Sequence, residues 1–100
     1  MYGIIPDVRA KFTLLRNQYV MSGYRPVHKI GDYLTTGMHN YFVKERVEPG
    51  ECVEGTITFI TPEYYKNSLK TGMRIEFFEG SKLTGYAEIL EIYNEIMVKR

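Results

Sequence analysis

Apolar and polar residues alternate along most of this chain, and the clearest alternation lies between Pro49 and Pro62. Val53, Gly55, Ile57 and Phe59 fall on one side; Cys52, Glu54, Thr56, Thr58 and Ile60 fall on the other. A period of two is that of a half-buried strand. Pro49-Gly50 opens the strand with a turn, because proline presets φ and glycine accepts φ > 0. Pro62 cannot donate to a ladder and closes it. The same pattern predicts a strand over residues 8–16, with Val8, Ala10, Phe12 and Leu14 opposite Arg9, Lys11 and Thr13. Residues 17–23 read as a connection from which Tyr19, Val20 and Met21 pack back on the body.

Short strands are expected over 27–30 and 33–36, separated by Gly31-Asp32, with the first too brief to assign a face. Gly37-Met38 then interrupts the chain, and 40–47 alternates again, less cleanly. Residues 2–6 form a short apolar lead-in before a turn at Pro6-Asp7. Residues 63–72 hold at most one helical turn. Met73, Ile75 and Phe77 mark a strand, Glu79-Gly80-Ser81 a tight hairpin, and 82–92 its partner, with Gly85, Ala87 and Ile89 inward. Residues 93–100 either prolong that strand or form a short terminal helix. Many short strands with regular turns predict a closed antiparallel barrel or a small sandwich. Gly55 and Gly85, each inside a strand, mark bends or close backbone approach.

Composition narrows the class. One hundred residues, 44% hydrophobic and 25% charged, suit one globular domain over 1–100. Its barrel core is expected over about 7–92, with 93–100 as a C-terminal extension. Nine Tyr and five Phe without Trp favour strands. A net charge of +1 gives no field to drive DNA or membrane binding. The single cysteine, Cys52, suits a reducing cytosol. No signal peptide is read at the start, and no apolar run approaches the ~20 residues of a membrane span, so a soluble cytoplasmic protein is expected.

Candidate chemistry is sparse. His28 and His39 lie on different elements, and His28 with Cys52 would be the only base and nucleophile pair. No third residue orients them, so the expected reading is a half-exposed strand histidine and a small packing thiol. The sequence lacks zinc-ligand spacing and Gly-rich phosphate loops, so neither a metal, a cofactor nor a catalytic set is expected. Basic residues form loose groups near tyrosines: Arg9, Lys11 and Arg16; Arg25 and Lys29; Lys44 and Arg46; Lys66, Lys70 and Arg74; Lys82; Lys99 and Arg100. Such groups suit either RNA binding or an ordinary mixed surface.

Gly23-Tyr24-Arg25-Pro26, followed after a turn-rich stretch by Val47-Glu48-Pro49-Gly50-Glu51-Cys52-Val53, resembles the C-terminal barrel, domain 3, of the elongation factor Tu family. That family has a Gly-Tyr-Arg-Pro, then at similar spacing a Pro-Gly-Asp/Glu-x-Val strand ending in His/Lys-Pro, where this chain has Thr61-Pro62. Its Gly-Leu-Arg-Phe strand is matched by Gly72-Met73-Arg74-Ile75. Its Glu-Gly-Gly-Arg-Thr-Val-Gly hairpin is matched by residues 79–85, from Glu79-Gly80 through Lys82 to Gly85. The likeness covers roughly residues 7–92 and implies a six-stranded closed antiparallel (Greek-key) barrel.

In that family the barrel is not catalytic. It packs on the neighbouring barrel and the GTPase domain, and it contacts the T-stem of aminoacyl-tRNA. The resemblance therefore implies partner or RNA contacts at Arg25, Glu79, Gly80 and Lys82, with structural roles for Gly23, Tyr24, Pro26, Pro49, Gly50 and Gly85. Two departures concern the tRNA side: Thr61 replaces an often basic residue, and Leu34-Thr35-Thr36-Gly37 replaces Arg-Thr-Thr-Asp. The resemblance includes no GTPase domain and implies no GTP hydrolysis. The leading expectation is a non-catalytic module acting through protein contacts, linked to translation. An immunity or antitoxin-like protein that occludes a toxin, and a tRNA-binding barrel, are the alternatives; an enzyme is the least expected class.

Overall fold

The computed structural model describes residues 5–42 and 45–100. The lead-in over residues 2–4, and Val43 and Lys44 of the 40–47 alternation, lie outside the described residues. The strands are β1 (Val8–Leu14), β2 (Val20–Met21), β3 (Val27–Ile30), β4 (Tyr33–Tyr41), β5 (Arg46–Val47), β6 (Cys52–Phe59), β7 (Arg74–Glu79) and β8 (Lys82–Ile92). Six of them close an antiparallel barrel in the order β1-β6-β4-β3-β7-β8, and β2 pairs with β5 as a separate two-stranded sheet. The barrel, rather than the sandwich, is thus the architecture. A single 3₁₀ turn at Pro62–Tyr65 falls at the segment allowed at most one helical turn. Another at Glu95–Met97, after β8 ends at Ile92, decides between the two alternatives for residues 93–100 in favour of a short helical turn.

Alternation sets the inner face. Val8, Ala10, Phe12 and Leu14 on β1 and Val53, Ile57 and Phe59 on β6 are buried, as are Ala87 and Ile89 on β8. The interior is aromatic: the Phe12 ring lies 5.3 Å from Tyr41 and 6.4 Å from Phe77, both edge-on. Leu69 and Met97, both fully buried, close one end of the barrel. The Leu69 N–H donates to Met97 O, and the Lys99 N–H to Leu69 O. The C-terminal extension therefore contributes to the core.

The expected break at Gly37-Met38 is corrected. β4 runs unbroken from Tyr33 to Tyr41, and Gly37 sits inside the barrel opposite Phe59. A Cβ there would lie 2.8 Å from Ile57 Cγ2 and 3.0 Å from His28 Cε1. This glycine is a low spot that admits neighbouring side chains. Gly55 and Gly85 are close-approach positions, as expected. A Cβ on Gly55 would run into the Asn40 carbonyl of β4, and one on Gly85 into the Phe77 ring and, at 2.5 Å, Thr13 O.

Asp7 ties the start of β1 to both of its neighbours, the end of β6 and the residues after β8. Its carboxylate accepts the Phe59 N–H at 2.7 Å and the Asn94 side-chain amide at 2.8 Å. Its carbonyl accepts the backbone N–H groups of Tyr93 and Asn94. Asp7→Ala leaves a buried amide without an acceptor and is expected to cost about 2–3 kcal/mol, read as a lower urea midpoint, with Asp7→Asn losing less.

Candidate surface site at the barrel end carrying β2 and β5

The ends of β1, β4 and β7 and the starts of β3, β6 and β8 share one end of the barrel. The connections carrying β2 and β5 lie at this end. Pro49-Gly50 turns tightly here: Gly50, at φ +85°, donates its N–H to Leu14 O at 2.8 Å, and Glu51 donates to Glu48 O. The Gly80-Ser81 loop joins the paired residues Glu79 and Lys82. Gly80, at φ +61°, occupies the first loop position, where a II′ hairpin needs glycine. Gly23 donates its N–H to His39 O, and Pro26 O accepts from Gly37. Gly85 pairs with Leu14 on the adjoining wall.

Fold closure thus collects residues that lie far apart in sequence. Tyr24 Oη donates to Glu79 Oε2 at 2.5 Å, and Arg16 Nη1 approaches the same oxygen at 2.5 Å. Thr84 Oγ1, 2.8 Å from Tyr24 Oη, is then its donor. Burial, and then the Glu79 carboxylate, push the Tyr24 hydroxyl up to about 12, so it stays a donor at neutral pH. The Tyr24 ring packs edge-on against His39 and Phe77, linking this cluster to the core. Arg25 and Lys82 are exposed beside it, and Lys82 makes no ion pair among the described residues.

Two open hollows flank the 16–18 loop. The larger, about 730 Å³, is edged by Arg16, Tyr19, Met21, Tyr24, Glu48 and Pro49. The smaller, about 220 Å³, lies among Gln18, Glu79, Lys82 and Thr84. Tyr19 and Met21 are about half exposed. The positive charges here are largely matched: Arg16 pairs with Glu79, and Arg46 with Glu48 at 2.7 Å while covering the Tyr19 ring. Elsewhere Arg9 lies between Glu54 and Glu91, and Arg74 lies over Tyr86. The basic and aromatic groups noted in the sequence therefore spread over several walls.

The histidines require a correction. His28 is wholly buried rather than half exposed, and Cys52 lies on the surface with Sγ 3.2 Å from Thr13 Oγ1. His28 instead meets His39, Nε2 to Nε2, at 2.8 Å. His39 Nδ1 lies 2.9 Å from Tyr41 Oη, and His28 Nδ1 lies 3.4 Å from Thr35 O. Burial lowers His28 to about 4 and holds His39 well below its ordinary value, helped by repulsion from His28. Burial likewise raises the Tyr41 hydroxyl. No spacing rule links residues 28 and 39; the signal would have been two inward positions on paired strands, and β3 is too short to show its phase. Among the described residues no three His, Cys, Asp or Glu side chains gather as a metal site. Compared with known proteins, the chain matches no family model and no curated protein.

Proposed function

We propose that this chain is a non-catalytic binding module, resembling domain 3 of the elongation factor Tu family, that acts through protein–protein contacts at the barrel end carrying β2 and β5. The observation that carries the reading is the larger hollow: an open concavity with Tyr19 and Met21 at its edge and the Tyr24–Glu79–Arg16 cluster behind it. Aromatic and Met side chains on a rigid base are the usual anchors of a protein interface. The matched charges of Arg16 and Arg46 favour a protein over an RNA backbone, whose binding needs uncompensated cations. The link to translation rests on the sequence resemblance.

The test is affinity capture from the native host with the wild-type chain and with Tyr19→Asp/Met21→Asp. These positions are exposed, so the double variant should keep the wild-type unfolding temperature while its hold on a stoichiometric protein partner weakens at least ~10-fold, about 1.4 kcal/mol. Recovery of RNA with no protein, together with salt-dependent tRNA binding at ~50 mM salt, would sink the reading.

A further inference from the structure

The barrel wall is closed unequally. β1 pairs with β8 along its whole length and with β6 from Val8 to Thr13, and β3 pairs with β4 through all four of its residues. Between β3 and β7 only Val27↔Phe78 and His28↔Phe77 are paired. This is the shortest seam in the wall, and His28 stands in it.

The hydrogen bonds of the buried chain have only one consistent direction. Thr35 O can only accept, so His28 carries its proton on Nδ1 and leaves Nε2 bare. His39 must then donate from Nε2, which leaves its Nδ1 to accept the Tyr41 O–H. Each ring is neutral and each nitrogen is used. A further proton at His28 Nε2 would set two N–H groups head to head across 2.8 Å. A further proton at His39 Nδ1 would turn the Tyr41 hydroxyl away and leave a charge beside Phe12, whose ring centroid is 4.3 Å from that of His39.

Among the described residues, nothing facing the pair supplies a countercharge. β1 presents Phe12, β6 presents Phe59, β7 presents Phe77, and β4 adds the neutral Tyr41 and Thr35. Tyr24, ahead of β3, turns its ring to His39 and its hydroxyl outward to Glu79. Asp7, the one buried carboxylate among the described residues, is held by Phe59 N and Asn94.

The His28–His39 contact joins β3 to β4, and both rings lie against Phe77 of β7, with centroids 5.8 and 4.9 Å away. We propose that this pair is an acid-sensitive latch: its packing on Phe77 keeps the barrel shut at the β3–β7 seam, and the seam is released when either ring takes a second proton. The sign follows from linkage. The closed form binds the proton less readily than the open form, so closure is fully favoured above the ordinary histidine value of 6.5. It weakens as pH falls toward about 4, where the closed form also titrates. One histidine so shifted raises the open population about 20-fold between pH 7 and pH 5.

Amide hydrogen exchange at pH 7 and pH 5, corrected for intrinsic rates, tests this. Val27–Ile30 and the amides of Phe77 and Phe78 should lose about 20-fold protection while Val8–Leu14 changes less than 3-fold. In His28→Leu/His39→Met the seam should show no such pH dependence. Should that variant not fold, imidazole ¹⁵N spectra of the wild type decide: protons on His28 Nδ1 and His39 Nε2, both persisting to pH 5, support the latch. Uniform loss of protection over β1 and the seam, no loss at all, an unchanged pH dependence in the double variant, or either ring titrating near 6.5 in the folded protein would overturn it.

Discussion

Phe77→Ala is expected to remove about 4 kcal/mol of folding stability and to lower the thermal midpoint by roughly 20 °C. The ring is 1% exposed and lies within 6.5 Å, centroid to centroid, of Phe12, Tyr24, His28 and His39. Its removal forfeits apolar burial and leaves a void that the barrel cannot collapse, because the neighbouring backbone is fixed by pairing to β8. Phe77→Leu should lose about half as much. A calorimetric midpoint within ~5 °C of wild type for the alanine variant would mean that the interior repacks freely, contrary to the close fit of this ring against Gly85.

Gly55→Ala is the second large effect, and it acts through the main chain. The added methyl would overlap the Asn40 carbonyl oxygen and sit 3.0 Å from the Asn40 carbonyl carbon and Tyr41 Cα. β4 and β6 must move apart where Tyr41 pairs with Gly55. The expected cost is about 3 kcal/mol, at the upper end for overpacking. With a urea m-value of ~1.5 kcal/mol/M, the midpoint falls by ~2 M. Thr58→Ala, on the same strand, serves as the control and should move it by less than ~0.7 M. Equal midpoints for Gly55→Ala and wild type would exclude so close an approach of the two strands.

What the sequence could and could not convey follows from the same positions. β1, β6 and β8 were readable because each is seven or more residues long, enough to set the phase of its inward residues, although on β6 Thr56 and Thr58, expected on the polar side, are buried as well. The inward placement of Val53, Ile57, Ala87 and Ile89 came with it. β4 was misread because glycine usually punctuates, whereas Gly37 is needed inside the wall. The partial burial of residues around β2 and β5 gave no period, since two-residue strands have none. The resemblance names Arg25, Glu79, Gly80 and Lys82 for partner contacts and Tyr24 for a structural role, and the barrel brings Tyr24 and Glu79 into direct contact. Arg16, which completes that cluster, was noted only as one basic residue among several. Its partner lies 63 positions away, a pairing that only ring closure creates.

Two of the tight glycines, Gly37 and Gly55, have different evolutionary outlooks. The nearest atoms to a Cβ at Gly37 belong to side chains, those of Ile57, His28 and Phe59. A smaller residue at 57 makes room for it, so positions 37 and 57 should covary among descendants of this chain. Gly55 faces a main-chain carbonyl, and no exchange of side chains can compensate there. Position 55 should stay glycine for as long as β4 and β6 remain neighbours, while 37 is free to drift in company.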